Sequence, residues 1–157
     1  MVWSNLWRLN LPGPQTTLQV QKAGDGFLIE KEIEFTAGST EDDIFEVTGL
    51  VALKVVGVIT ADISATADNA SVGTTGSKTA IIPNTTGNNL NGEVGAIWVD
   101  AAPQTSGDIK ADALKGDMFV VHDEDIVATS TANHAAGKVK FYCWWKPISA
   151  DGKVEAA

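Results

Sequence analysis

The stretch Leu50-Val51-Ala52-Leu53-Lys54-Val55-Val56-Gly57-Val58-Ile59-Thr60-Ala61-Asp62-Ile63 constrains this chain more than any other. Every odd position from Val51 to Ile63 is apolar or glycine, while the even positions include Lys54, Thr60 and Asp62. Hydrophobicity that repeats every two residues is the mark of a strand with one buried face. Such a strand must pair within a sheet, and the sheet must bury its apolar side against another layer. The odd face is expected in the core, and the class expected is all-β. Gly57 is read as a bulge where the chain bends between sheets.

Other segments carry the same period. In Phe27-Leu28-Ile29-Glu30-Lys31-Glu32-Ile33-Glu34-Phe35, one face holds Phe27, Ile29, Lys31, Ile33 and Phe35. The other holds Leu28, Glu30, Glu32 and Glu34, and reads as solvated. Gly38 to Asp43 reads as a polar turn and Ile44 to Thr48 as a strand, with Gly49 before the long one. Further strands are expected over Val94–Val99, Met118–Val121, Ile126–Thr131 and Val139–Lys146. Residues 64–93 are rich in Ser, Thr, Asn and Gly and read as a long loop, with room for short strands around Val72 and Ile81. One helical turn is expected over Asp108–Lys115, stopped by Gly116. Seven or eight strands with Gly-, Asn- and Pro-rich turns predict a single-domain β-sandwich over residues 26–157, jelly-roll-like in type. Residues 1–25 differ: Trp3, Leu6, Trp7 and Leu9 precede Pro12-Gly13-Pro14, and the segment reads as an extended N-terminal arm that needs something apolar to bury against.

Charge and cysteine usage narrow the function. A net charge of −9 on 157 residues opposes binding to nucleic acid or to anionic membranes. No apolar run is long enough for a membrane-spanning helix, and the N-terminus lacks the basic and apolar blocks of a signal peptide. Cys143 is the only cysteine, so neither an intrachain disulfide nor a cysteine-based zinc site is expected. It sits in an aromatic strand and reads as a small buried hydrophobe.

Candidate sites are few. His122-Asp123-Glu124-Asp125 could offer carboxylates to calcium, but EF-hand spacing is missing and the bland reading is a charged hairpin turn. Gly73-Thr74-Thr75-Gly76-Ser77-Lys78-Thr79 lacks the Gly-Lys-Ser/Thr of a phosphate loop. The histidines, His122 and His134, have no motif that makes either a catalytic base. No catalytic residue, cofactor or metal is therefore expected. The last strand says more. Val139, Phe141, Cys143 and Trp145 point to the core, while Lys138, Lys140, Tyr142, Trp144 and Lys146 point away. Tyr142 and Trp144 among lysines read as a contact surface for an acidic partner, or as rings packed under a loop. Exposed Trp98, Trp144 and Tyr142 would also suit sugar stacking.

Asp43-Ile44-Phe45-Glu46-Val47-Thr48-Gly49, Val51 to Thr60, Ile63-Ser64-Ala65-Thr66-Ala67, and the ending Gly137 to Ser149 with Asp151-Gly152 resemble small structural proteins of tailed-bacteriophage virions. The resemblance covers residues 35–152 and rests on strand patterns, including a late aromatic strand ending Trp145-Lys146-Pro147. It implies a capsid decoration (cement) protein with no enzymatic activity, made in the host cytoplasm and carried on the capsid surface of the virion. It also implies a homotrimer bound to the major capsid protein. The partner-binding residues expected are Trp3, Leu6, Trp7, Leu9, Tyr142 and Trp144. The competing expectation is a carbohydrate- or receptor-binding β module, such as a spike or lectin-like domain.

Overall fold

The computed structural model describes residues 26–36, 40–65, 70–84, 92–99, 118–130, 134–135 and 137–157. In chain order the strands are β1 (Phe27–Phe35), β2 (Thr40–Thr48), β3 (Leu50–Ala61), β4 (Ser64–Ala65), β5 (Ser71–Thr74), β6 (Ile97–Trp98), β7 (Phe119–His122), β8 (Ile126–Ser130), β9 (His134–Ala135), β10 (Gly137–Pro147) and β11 (Lys153–Ala156). Two antiparallel sheets pack face to face. One runs β1-β10-β3-β6 with β7 also on β3, the other β11-β2-β8-β5, and β4 pairs with β9 separately. The all-β sandwich expected from the two-residue period is the fold observed.

The inner faces are those the period marked. Val51, Leu53, Val55, Gly57, Ile59 and Ile63 are buried from the long strand, as are Ile33 and Phe35 from β1 and Val139, Phe141 and Cys143 from β10. Each fully buried side chain such as Phe35, Phe45 or Phe141 contributes about 1.5–3 kcal/mol relative to exposure. Lys31, on the inward side of edge strand β1, is half-buried, and its ammonium is compensated by donating from Nζ to the backbone oxygen of Ala157. A charge pointing inward on an edge strand also discourages further strand pairing there.

Several boundaries and one bulge differ from expectation. β2 starts at Thr40, so residues 40–43 are strand rather than turn. Thr40 Oγ1 lies 3.1 Å from Ser130 Oγ, and that cross-strand contact carries pairing into a polar stretch. The Val94–Val99 segment shrinks to Ile97–Trp98, and Ser71–Thr74, within the polar stretch, is a strand buried at all four positions. Ile82 bridges to Val72 beside it. The helical turn expected at Asp108–Lys115 lies outside the described residues.

Gly57 is no bulge. It keeps regular register, opposite Phe141 on one side and Trp98 on the other. A Cβ at Gly57 would sit 3.1 Å from Val139 Cγ1 and 3.2 Å from Phe141 Cε1. The glycine makes room for two rings in one cross-strand row, and β3 stays in a single sheet. The irregularities fall elsewhere. At Ile44 the register slips between Asp43 and Phe45, which turns both Ile44 and Phe45 into the core. A second slip between Lys138 and Val139 leaves Thr60 as the extra residue opposite them.

Trp98 fills the centre. It is fully buried, with ring centroids 6.4 Å from Phe35 and 6.0 Å from Phe141. Its Nε1 has no hydrogen-bond partner among the described residues. An orphaned buried donor costs about 1–3 kcal/mol. Burying the ring returns about as much, and each aromatic pair adds about 0.5–1.5 kcal/mol, so packing wins. Gly57→Val, which overfills this row, is expected to lower stability by about 1–3 kcal/mol in urea titration. Gly95→Ala is the control: it has φ +90 but nothing within 4 Å of its Cβ. It should cost about 1–2 kcal/mol from backbone strain alone.

Candidate docking surface

The outward face of the five-stranded sheet collects alternate residues of β1, β10, β3, β6 and β7. Register places Leu28 beside Trp144 beside Lys54, then Glu30 beside Tyr142 beside Val56, then Glu32 beside Lys140 beside Val58 and Ile97. Lys146 and Val120 flank Ala52 at the near end, and Glu34 and Lys138 face each other at the far end.

The face divides into two zones. At the far end charges satisfy one another. Lys140 Nζ lies 2.8 Å from Glu30 and Lys138 Nζ 4.0 Å from Glu34, while Thr60 Oγ1 donates to Glu32 at 2.9 Å. The hydrogen bond to Glu30 outweighs partial desolvation and holds the Lys140 ammonium above its ordinary range. These pairs are exposed and screened by solvent, so they add little to stability. At the near end exposed apolar side chains stand among Lys54 and Lys146: Leu28 is 46% exposed, Trp144 38% and Val120 64%. Tyr142, half-buried, stacks along the strand on Trp144 at 6.2 Å and 29° between planes, with Lys140 Nζ 5.5 Å above its ring.

Of the six expected partner-binding residues, Tyr142 and Trp144 lie together on this face. Trp3, Leu6, Trp7 and Leu9 lie outside the described residues. Trp98 is sealed in the core and is withdrawn as a sugar-stacking candidate. Leu28 and Val120 were missed. By its period Leu28 belongs to a solvated glutamate face, and only the pairing of β1 to β10 sets it against Trp144.

The acidic turn has a structural role that its sequence did not disclose. It is not a hairpin: β7 and β8 belong to different sheets, so residues 123–125 cross between layers. Gly49 makes a second crossing, from β2 to β3, and residues 148–152 a third, from β10 to β11. The three crossings are hydrogen-bonded to one another. Gly49 N donates to Asp123 Oδ1 at 2.5 Å, Val47 N to Asp125 Oδ1 at 3.0 Å, and Asp123 N to Gly49 O at 3.2 Å. Leu50 N donates to Ser149 Oγ at 2.8 Å, and Ile148 N to Leu50 O at 2.8 Å. Gly49 adopts φ +65, and a Cβ there would lie 2.7 Å from both Asp151 Oδ1 and Ser149 Oγ. Hydrogen bonding from Ser149, then from its own backbone, holds the Asp151 carboxyl below its ordinary range, with His122 adding a weaker pull.

These groups therefore serve the backbone. Ser149 Oγ is engaged with Leu50, and His122 Nε2 sits 3.3 Å from Asp123 Oδ2 at an open surface. Among the described residues, no three His, Cys, Asp or Glu side chains are grouped to hold a metal ion. In the Gly73–Lys78 stretch, Thr74 and Ser77 exchange backbone hydrogen bonds in a tight turn, and Lys78 pairs with Glu41. Burial pushes the Cys143 thiol up to about 12. No family model, curated protein or solved structure matches the chain.

Asp123→Ala should lower stability by about 1–3 kcal/mol by orphaning Gly49 N–H, and calcium should leave the melting temperature of the parent protein unchanged. Cys143 should resist alkylation in the native state at pH 8 and react on unfolding. Its folded pKa is raised from 9.0, so its contribution to stability is present below pH 9 and is lost as pH rises toward 12.

Proposed function

We propose that the chain is a non-enzymatic structural protein of a tailed-bacteriophage virion: a capsid decoration protein that binds junctions of major capsid subunits and stabilises the shell. The observation that carries this reading is the near end of the sheet face, where Leu28, Trp144 and Val120 stand exposed on regular strands beside Lys54 and Lys146. Exposed apolar side chains gathered on one face mark contact surfaces. A cement protein needs a rigid scaffold, an apolar docking face and further apolar reach. The sandwich supplies the first, this face the second, and Trp3, Leu6, Trp7 and Leu9 the third.

Attachment as a homotrimer, with a jelly-roll form of the sandwich, belongs to the same reading. Three weak contacts held together become effectively intramolecular after the first, and avidity rises without new chemistry. The net charge of −9 disfavours nucleic acid and anionic membranes as competing partners.

A second reading has its own support. Tyr142 and Trp144, stacked along one strand, form an aromatic strip on which a sugar ring could lie. A receptor- or carbohydrate-binding module would use that strip alone, and Trp144→Ala would abolish glycan binding in an array. The decoration reading predicts no glycan binding. It also predicts that removing residues 1–12 abolishes saturation of capsids while the sandwich keeps its cooperative unfolding. Undiminished capsid binding by that deletion would remove the N-terminal segment from the account.

A further inference from the structure

The lysines of the outward sheet face differ in their surroundings. Lys138 Nζ lies 4.0 Å from Glu34 and Lys140 Nζ 2.8 Å from Glu30. Lys54, half-buried within the near end, has no ion-pair or hydrogen-bond partner among the described residues. We propose that Lys54 and Trp144 are the centre of a docking site for a protein segment that sets an Asp or Glu carboxylate beside an apolar side chain. That the segment belongs to a capsid subunit rests on the decoration reading above; its chemistry does not.

Register shows how Lys54 comes to lack a partner. β1 places a glutamate at each outward position from Glu34 to Glu30, and each lies beside a residue of β10. At the next outward position the series ends in Leu28, opposite Trp144, with Lys54 on the far side of Trp144. The following row holds Lys146, Ala52 and Val120. Neither row contains a carboxylate, in a chain with 20 acidic and 11 basic side chains. The near end is thus a local excess of positive charge on a molecule of net charge −9.

The polar side chains of these two rows select the partner group. Lys54, Lys146 and the Trp144 indole donate hydrogen bonds and do not accept them. An ionised carboxylate only accepts, so it is the complementary group. Sugar hydroxyls need acceptors as well as donors, and the side chains of these rows supply no acceptor. Leu28, Trp144 and Val120, all exposed, give apolar contact on either side of the charge. At physiological salt, charges farther apart than about 8 Å are largely screened. A single carboxylate therefore meets the local lysines, whereas DNA and anionic membranes, with dense arrays of charge, also meet the acidic remainder of the surface.

Panning the full chain against a library of random peptides tests the chemistry without particles. Peptides with Asp or Glu beside Leu, Ile, Phe or Trp should be enriched. Their affinity should fall about tenfold for Lys54→Met, further for Lys54→Glu, and steadily as salt rises. Lys140→Met, at a lysine already paired with Glu30, should change it less than about twofold. Lys54→Met should keep the melting temperature at or above that of the parent, because it leaves no group unpaired. A fall of more than about 4 °C assigns Lys54 to the fold and overturns the proposal. Enrichment of neutral or basic peptides, no enrichment at all, or undiminished binding by Lys54→Glu overturns it too. Selected acidic peptides bound by a parent protein that ignores capsids would support the site and remove the decoration reading.

Discussion

The structure depends on β10 lying between β1 and β3. β1 and β10 pair from Phe27–Trp145 to Phe35–Gly137, joining segments at opposite ends of the chain. The same strand pairs with β3 from Pro147–Val51 to Lys138–Ala61. Because side chains alternate, this one placement sorts two sets of residues. Phe141 goes inward to meet Trp98 and Gly57, with Cys143 buried on the same side, while Tyr142 and Trp144 go outward beside Val56 and Leu28. A slip of one residue would exchange the sets, exposing the core residues and burying lysines. The core thus fixes the candidate docking surface: the register that packs Phe141 against Gly57 is the register that sets Trp144 beside Leu28.

The corner at Gly49 holds the two layers in that arrangement. Three crossings meet there, and the one from β2 to β3 would leave the N–H groups of Val47, Gly49 and Leu50 unpaired without side-chain acceptors from the other two. Asp123, Asp125 and Ser149 supply them. Part of the chain's acidity therefore serves structure. That a polar cluster reads as a possible metal or catalytic site in sequence and as a backbone clamp in space is ordinary chemistry: an oxygen that accepts from an amide is the same oxygen that could ligate calcium.

What could be read in advance follows from range. β1, β3 and β10 were visible because a two-residue period needs only neighbours in sequence, and the inward lists for all three hold in the structure. The bulge was misplaced because a glycine in a strand has two explanations, and only the partners decide between them. Phe141 and Trp98 lie far from Gly57 in the chain, so the need for space there carries no local mark. Trp98 looked available for sugars for the same reason. Thr40–Asp43 lacked apolar alternation and joined β2 through pairing with β8. Leu28 among glutamates gave a faint signal, an aliphatic residue on a face otherwise charged. It gained meaning once Trp144 was beside it.

The proposed role in holding other subunits together rests on a two-layer body that presents Leu28, Tyr142, Trp144 and Val120 on one outward face. The most direct test is to purify assembled particles and measure copies of this protein per major capsid subunit. The account predicts its presence at a fixed ratio that is a multiple of the shell's threefold positions. Absence from the particles, or a few copies per particle at a single vertex or tail, would contradict it.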